Sequence, residues 1–360
     1  MHDDTVTLTR EDYTDQQVWE SERRAIFHGG WVLAGSSLRL APGNRTVVDI
    51  AGESVLLARD LQGTLRAFAN VCRHRGSRLC EAEDLSSQGS VMCPYHAWTY
   101  ALDGRLIATP HLDGDDVDKD SLPLWQYRAH EWQGMAFVSL AADPPSFDEW
   151  LTRHAPEVAN LTRFGIGDLQ VVATTRCDIA ANWKIVIENY QECLHCTRVH
   201  PELVDLVPLY RSGWVTDHSR EDGGVALARG TTMSATPVEL PPLPGVSEVD
   251  RTSYFGGTWF PNGFVDITGP NVVISTLYPT GPAHTVMTMD FLFHPDAIAT
   301  PGFDPQPIID FNVLVGDQDN RVCELVQQGV SSLAFDRGLL TPKDELVKWF
   351  VAHYRAMMAG

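Results

Sequence analysis

Two short motifs constrain this chain most: Cys72-Arg73-His74 and, eighteen residues later, Cys93-Pro94-Tyr95-His96. Together they offer two thiolates and two imidazoles from two nearby segments. A metal site of that kind takes its donors from the tips of adjacent loops, so the chain around it must fold as hairpins. The flanks agree. VVDI, SVLLA and LRAFANV are short β-rich runs broken by Gly52, Asp60 and Gly63. Further runs surround residues 90–92, 98–101 and 135–140, with Asp103-Gly104 as a turn signal. The pattern predicts a compact, mainly β domain over residues 38–142, closed by Asp143-Pro144-Pro145. Zinc accepts two thiolates and two imidazoles. So does a two-iron two-sulfur cluster in which histidines replace cysteines on one iron.

A second stretch, NWKIVIENYQECLHCTRVHP (182–201), concentrates Glu188, Glu192, His195 and His200. Read as a helix, Glu188, Glu192 and His195 fall at i, i+4 and i+7 and share a face with Ile185. His195 and His200 are five apart, about 140° around an ideal helix, too far for both rings to meet one ion. The backbone must widen there or leave the helix before His200, and Pro201 favours an ending. On spacing alone, a surface helix with scattered polar residues remains an alternative.

The 360 residues suggest about two domains. A net charge of −20 argues against nucleic acid or an anionic membrane as the main partner. No run reaches the length of a membrane span. The polar, acidic start MHDDTVTLTREDY does not resemble a secretory signal, so the cytoplasm is the expected compartment. Seven unevenly spread cysteines read as metal ligands or buried thiols. Residues 1–37 form a helical lead-in. Residues 143–360 form a second domain, with a helical segment SFDEWLTRHAPEVANL, a strand at 169–179 and a long loop at 212–250. Strand-like runs at 254–260, 272–278 and 285–293 precede helices at 307–328 and 343–358.

CRHRGSRL and CPYHAWTY resemble the two cluster loops of Rieske proteins, with Gly76, Pro94 and Gly104 where such loops turn tightly. Respiratory Rieske proteins carry two further loop cysteines; Ser77 and Tyr95 stand in those places, which points to the oxygenase type. Over nearly its whole length the chain resembles the catalytic (α) subunits of Rieske non-haem iron oxygenases. The form NWK…ENYxEC.HC looks most like the branch acting on betaines, carnitine and choline, although Leu194 stands where that branch commonly has tyrosine. The resemblance implies an α+β fold: an N-terminal mainly-β Rieske domain, then a helix-grip (START-like) catalytic domain with an antiparallel sheet. It implies that Cys72, His74, Cys93 and His96 hold one 2Fe–2S cluster and that His195 and His200 hold a mononuclear non-haem Fe(II). Glu192 takes the place of the family's acid beside the iron, expected to link cluster and iron between subunits. Such a site needs a carboxylate. Asp319 of PIIDFNVLVGDQDNRVCELVQQG supplies it, lying beside an expected stripe of Phe311, Val315, Val322 and Val326 in a segment like the family's QDxxxxE. Asp317, Asn320 and Glu324 are expected to point elsewhere.

The resemblance implies a monooxygenase that uses dioxygen and a small substrate, with oxidative N-demethylation or hydroxylation of a quaternary amine or betaine-type compound as the expected reaction. A ring-hydroxylating (di)oxygenase of an aromatic compound and a non-catalytic electron-transfer protein are the alternatives. No nicotinamide or flavin fingerprint is present, so a separate NAD(P)H-dependent reductase or ferredoxin is expected, docking near Arg73, Arg75 and Arg78. The resemblance also implies a homotrimer. Cys193 and Cys196 are expected as packed thiols, Cys80, Cys177 and Cys323 as core. Trp259, Phe260 and Tyr278 are candidates by type for facing a cation.

Overall fold

The β-rich runs of the first region pair as antiparallel strands: β1 (Trp31–Ser36), β2 (Arg45–Ile50), β3 (Glu53–Arg59), β4 (Leu65–Ala69), β5 (Ser90–Met92), β6 (Thr99–Ala101), β7 (Leu106–Ala108), β8 (Gln126–Trp132) and β9 (Met135–Ser139). A six-stranded sheet has the order β1-β9-β8-β4-β3-β2, and β5-β6-β7 form a smaller one. The computed structural model describes residues 5–81, 89–113 and 116–359. Its chain divides into two units, Phe27–Trp150 and Met1–Ile26 with Leu151–Gly360. The core of the first unit gathers Leu56, Phe68, Val91, Trp98, Tyr100 and Leu106 around Cys72 and Cys93. At the turn between β6 and β7, Gly104 has φ +94°, and a Cβ there would meet the Phe68 ring at 2.7 Å. Only glycine fits that turn.

The second unit starts with α1 (Arg10–Thr14) and α2 (Gln16–Glu22), and α3 (Phe147–His154) leads into its main part. Its strands are β10 (Gln170–Ile179), β11 (Val225–Ala226), β12 (Ser253–Trp259), β13 (Gly263–Ile267), β14 (Asn271–Gly281) and β15 (His284–Phe293). They form one sheet in the order β10-β15-β14-β13-β12-β11. The helices are α4 (Trp183–Tyr190), α5 (Cys196–Val199), α6 (Pro201–Leu206), α7 (Glu248–Arg251), α8 (Pro295–Ile298), α9 (Gln306–Val330) and α10 (Glu345–Met358). The 25-residue α9 packs its Ile308 and Ile309 against Val273, Phe291 and Phe293 of the sheet, which is the helix-grip arrangement. Register decides which side chains face it. Asp266 pairs with Gly256 and Val273, and Phe264 with Ser275, so these share one face with Tyr254. Phe255 lies on the other face, where its ring meets Phe164 at 5.0 Å.

Two features differ from the sequence reading. Strands β1, β7, β8 and β13 were not expected. Three of them are short or continuously buried, and β8 (QYRAHEW) is largely polar, so none shows clean alternation. The lead-in over residues 1–37 is also not a separate element. Its part up to Ile26 belongs with the second unit and the rest with the first. The reason is a buried polar knot. Glu22 is fully buried and accepts from Lys184 Nζ (2.5 Å), Tyr354 OH (2.7 Å) and Trp183 Nε1 (3.0 Å). Glu22→Ala would leave Lys184 buried without a counter-charge. It is expected to destabilise the protein by about 3–5 kcal/mol. A urea unfolding curve checks this, and Glu22→Gln, which keeps one acceptor, should cost less.

Candidate active site

Helix α4 is capped by Asn182, whose side chain accepts from the Lys184 N–H. It ends at Tyr190, where the Gln191 N–H turns back to the carbonyls of Ile187 and Glu188. The helical face expected to run from Glu188 to His195 is therefore interrupted. A turn brings Glu192 to His195 instead: His195 Nδ1 donates to Glu192 Oε1 at 2.6 Å, and the Leu194 N–H donates to the other carboxylate oxygen. Glu188 faces away, towards the N-terminal helices, and its two oxygens accept from Tyr13 OH at 2.9 Å. Burial pushes the Glu188 carboxyl up to about 7, against the opposing pull of Tyr13 and Lys184.

His195 and His200 bracket α5. The chain leaves helical angles at His200 (φ −123°, ψ 66°), ahead of Pro201, the second of the two routes the spacing required. Asp319 comes from the middle of α9. Phe311, Val315, Asp319, Cys323 and Gln327 follow at four-residue steps, so Asp319 lies within the inward face rather than beside it. Cys323 and Gln327 are buried there, while Val326 is 42% exposed, contrary to the expected stripe. Each four-residue step overshoots a full turn by about 40°, so the buried line winds round α9 and passes through Gln327 rather than Val326.

The three side chains converge. Asp319 Oδ1 lies 2.8 Å from His200 Nε2 and 3.3 Å from His195 Nε2, and one donor atom from each residue lies within 4.8 Å of the others. The far ring nitrogens are already engaged: His195 Nδ1 by Glu192, and His200 Nδ1 by Gln318 Oε1 at 2.7 Å. Both Nε2 lone pairs are thus turned to a common point, with the carboxylate as third donor. That donor set fits the two-histidine, one-carboxylate iron site with open positions. Burial disfavours charge on His195, yet the Asp319 and Glu192 carboxylates outweigh it and hold the imidazole up at about 9. A bound cation would displace that proton. Gln318 was not singled out from sequence. The need of a metal-bound histidine for a second partner was the available signal.

The triad opens on a cavity of about 140 Å³. Tyr190, Tyr210, Tyr254, Phe264 and Asp266 line it. Asn320 lines it too, contrary to expectation, and also donates to Cys177 Sγ. Trp259, Phe260 and Tyr278 are not among the lining residues. Phe260 packs against His353 and Trp183 instead. Cys193 and Cys196 are buried as expected but joined by a disulfide rather than present as thiols. The turn into α5 holds their Cα atoms 4.9 Å apart, within disulfide range.

In the first unit, the segments carrying Cys72, His74, Cys93 and His96 form two facing loops. Cys72 N–H donates to Ser77 O and Cys93 N–H to Trp98 O, both at 2.8 Å. Gly76 takes φ +74° in the first loop. The His74 and His96 rings lie 4.6 Å apart, His74 stacks on Trp98, and both cysteines are buried below. Tyr100 OH accepts from the Arg73 N–H and lies 3.5 Å from Cys72 Sγ. Two buried sulfurs beneath two outward imidazoles fit a cluster with one sulfur-ligated and one histidine-ligated iron.

The ring hydroxylating alpha subunit (catalytic domain) family matches residues 166–360, and the Rieske 2Fe–2S domain family matches residues 30–126. The glycine betaine monooxygenase oxygenase subunit of Pseudomonas aeruginosa is 30% identical over 370 residues, spanning 93% of this chain and 85% of that protein. The carnitine monooxygenase oxygenase subunit of Acinetobacter baumannii is 28% identical over 333 residues, spanning 91% and 86%. A solved structure of a quaternary ammonium Rieske monooxygenase, one bearing on carnitine oxidation by gut microbiota and inter-subunit electron transfer, shares the fold. Its TM-score is 0.81 at 24% identity, over 99% of this chain and 96% of that one. The chain belongs to the Rieske-type ring-hydroxylating oxygenase α subunits. It is an iron-dependent oxidoreductase that takes a Rieske 2Fe–2S cluster and one mononuclear iron.

Proposed function

We propose that the chain is the oxygenase component of a monooxygenase that oxidises an N-methyl carbon of a small quaternary ammonium compound. The observation that carries this reading is the triad's position on a small, tyrosine-lined cavity, in a chain whose relatives named above are betaine and carnitine monooxygenases. His195, His200 and Asp319 hold the iron, and Cys72, His74, Cys93 and His96 hold the cluster. When bound, these groups supply single electrons and dioxygen activation, chemistry that side chains alone do not offer. Glu192 and Gln318 fix the two imidazoles with their Nε2 atoms inward. Hydroxylation of an N-methyl carbon gives a carbinolamine that falls apart to formaldehyde and the demethylated amine.

Turnover with a surrogate reductase and NADH tests this, offering glycine betaine, carnitine and choline against benzoate and naphthalene. Formaldehyde is expected from at least one quaternary amine. Formaldehyde from none, with a hydroxylated ring from an aromatic compound, would replace this reading by the ring-hydroxylating one.

We propose further that the electron donor is a separate NAD(P)H-linked reductase or ferredoxin docking over the cluster loops. His74, Arg75 and Arg78 are exposed there, and Arg73 lies 4.3 Å over the half-exposed Trp125 ring. Basic groups in a chain of charge −20 would steer an acidic donor. Arg78→Glu is expected to slow cluster reduction and flatten its salt dependence in stopped-flow traces; unchanged kinetics would count against the docking face. Among the described residues no helix is long and apolar enough to cross a membrane. The cytoplasm, where NAD(P)H is available, is the proposed compartment, and recovery of the native protein in a periplasmic extract would overturn that.

A further inference from the structure

Asp266 lies on β13 in the second unit and faces the cavity of the iron site. Its Oδ1 accepts from Tyr254 OH at 2.5 Å and Tyr190 OH at 2.7 Å. No lysine, arginine or histidine among the described residues pairs with it. It nevertheless keeps accessible surface, because it borders the cavity that holds His195, His200 and Asp319. Tyr210 meets Tyr254 edge-on at 6.4 Å, and Phe264 stacks on Tyr190 at 4.2 Å. The opposing strand leaves room for this group. A Cβ at Gly256 would lie 2.8 Å from Tyr254 OH and 3.2 Å from Tyr190 OH. Burial pushes the Asp266 carboxyl above its usual range, and the two tyrosines only partly oppose that. A carboxylate so placed is costly unless a cation joins it.

We propose that Asp266, held by Tyr190 and Tyr254, is the counter-ion for the substrate's quaternary ammonium group, with the tyrosine rings around it. This rests on the quaternary-amine reading above and assigns the side chains that would enforce it. A quaternary ammonium has no N–H to donate. It is recognised by charge and by aromatic faces. The two hydroxyls fix Oδ1 in place, so the carboxylate stands at the cavity wall as a held negative charge. A neutral aromatic ring gains nothing from the carboxylate.

The test is calorimetric binding to the iron-loaded protein of choline and of 3,3-dimethylbutanol, which replaces the ammonium nitrogen by carbon. The wild-type protein is expected to bind choline at least about tenfold more tightly than the alcohol. Asp266→Asn should reduce that ratio towards one while leaving the alcohol's affinity in place. Tyr254→Leu removes a ring and one hydroxyl, and is the independent variant should Asp266→Asn not fold; it should lower the ratio several-fold. Formaldehyde release from a quaternary amine together with an undiminished choline preference in either variant would overturn the counter-ion and leave the function standing. A wild-type protein that binds neither choline, glycine betaine nor tetramethylammonium would overturn both.

Discussion

Asp319→Ala is expected to leave the cluster spectrum intact and abolish product formation. Asp319 is the only carboxylate that contacts both His195 and His200 among the described residues. Its removal leaves two neutral nitrogen donors, which bind divalent iron weakly and leave its charge unanswered. Elemental analysis should fall from about three irons per chain to about two, with two sulfides retained, because the cluster sits in a separate unit. Substrate oxidation should fall by more than the roughly 10–100-fold that follows loss of a residue that merely orients a ligand. Gln318→Ala provides that smaller comparison, since it frees His200 Nδ1 but leaves all three donors. An Asp319→Ala protein that retains its third iron and turns over at the wild-type rate would remove Asp319 from the site.

The parts of the centre that could be read from sequence are those fixed by local spacing. The two C/H pairs are short loops between strands, and spacing within a loop survives folding. The spacing of His195, His200 and Pro201 limits the backbone routes between them, but their role as ligands comes from the family resemblance, since a surface helix fits the same spacing. Asp319 is expected beside the stripe but lies within the inward face, and that face passes through Gln327 rather than Val326, because four-residue steps wind round α9. The cavity walls were not readable. Strand β13 carries Phe264 and Asp266 and was missed outright. Tyr254 points in while Phe255 and Trp259 do not, a choice set by a one-residue register. Tyr210 reaches the same space from a short 3-10 helix, Pro208–Ser212, far from β12 in sequence. Composition offers aromatic residues as cation binders, but only tertiary packing selects among them.

Glu192 stands between these two cases, and its replacement carries the second large expected effect. We propose that the chain forms a cyclic homotrimer in which Glu192 joins the iron site of one subunit to the cluster loop of the next. In the structure Glu192 Oε1 accepts from His195 Nδ1, and its other oxygen takes the Leu194 N–H. A carboxylate has about four lone-pair sites, so it can accept one more donor. Its side chain is 18% exposed, enough to be reached from outside the subunit. His96, with one ring nitrogen on the cluster, needs an acceptor for the other. The partner subunit's His96 would then donate to Glu192 and couple the two imidazoles through one carboxylate. Head-to-tail contacts close into a ring of three when neighbours are related by a third of a turn, which is the arrangement proposed. Glu192→Ala is therefore expected to retain the trimer and the reduced-cluster spectrum. With substrate and dioxygen present, reoxidation of that spectrum should slow by about 100-fold or more, and product should fall in step. If Glu192 only orients His195, the variant should instead lose iron while the rate per remaining iron holds. Full iron content with near wild-type turnover would exclude both roles, and a dilute monomer that keeps full turnover would exclude the ring.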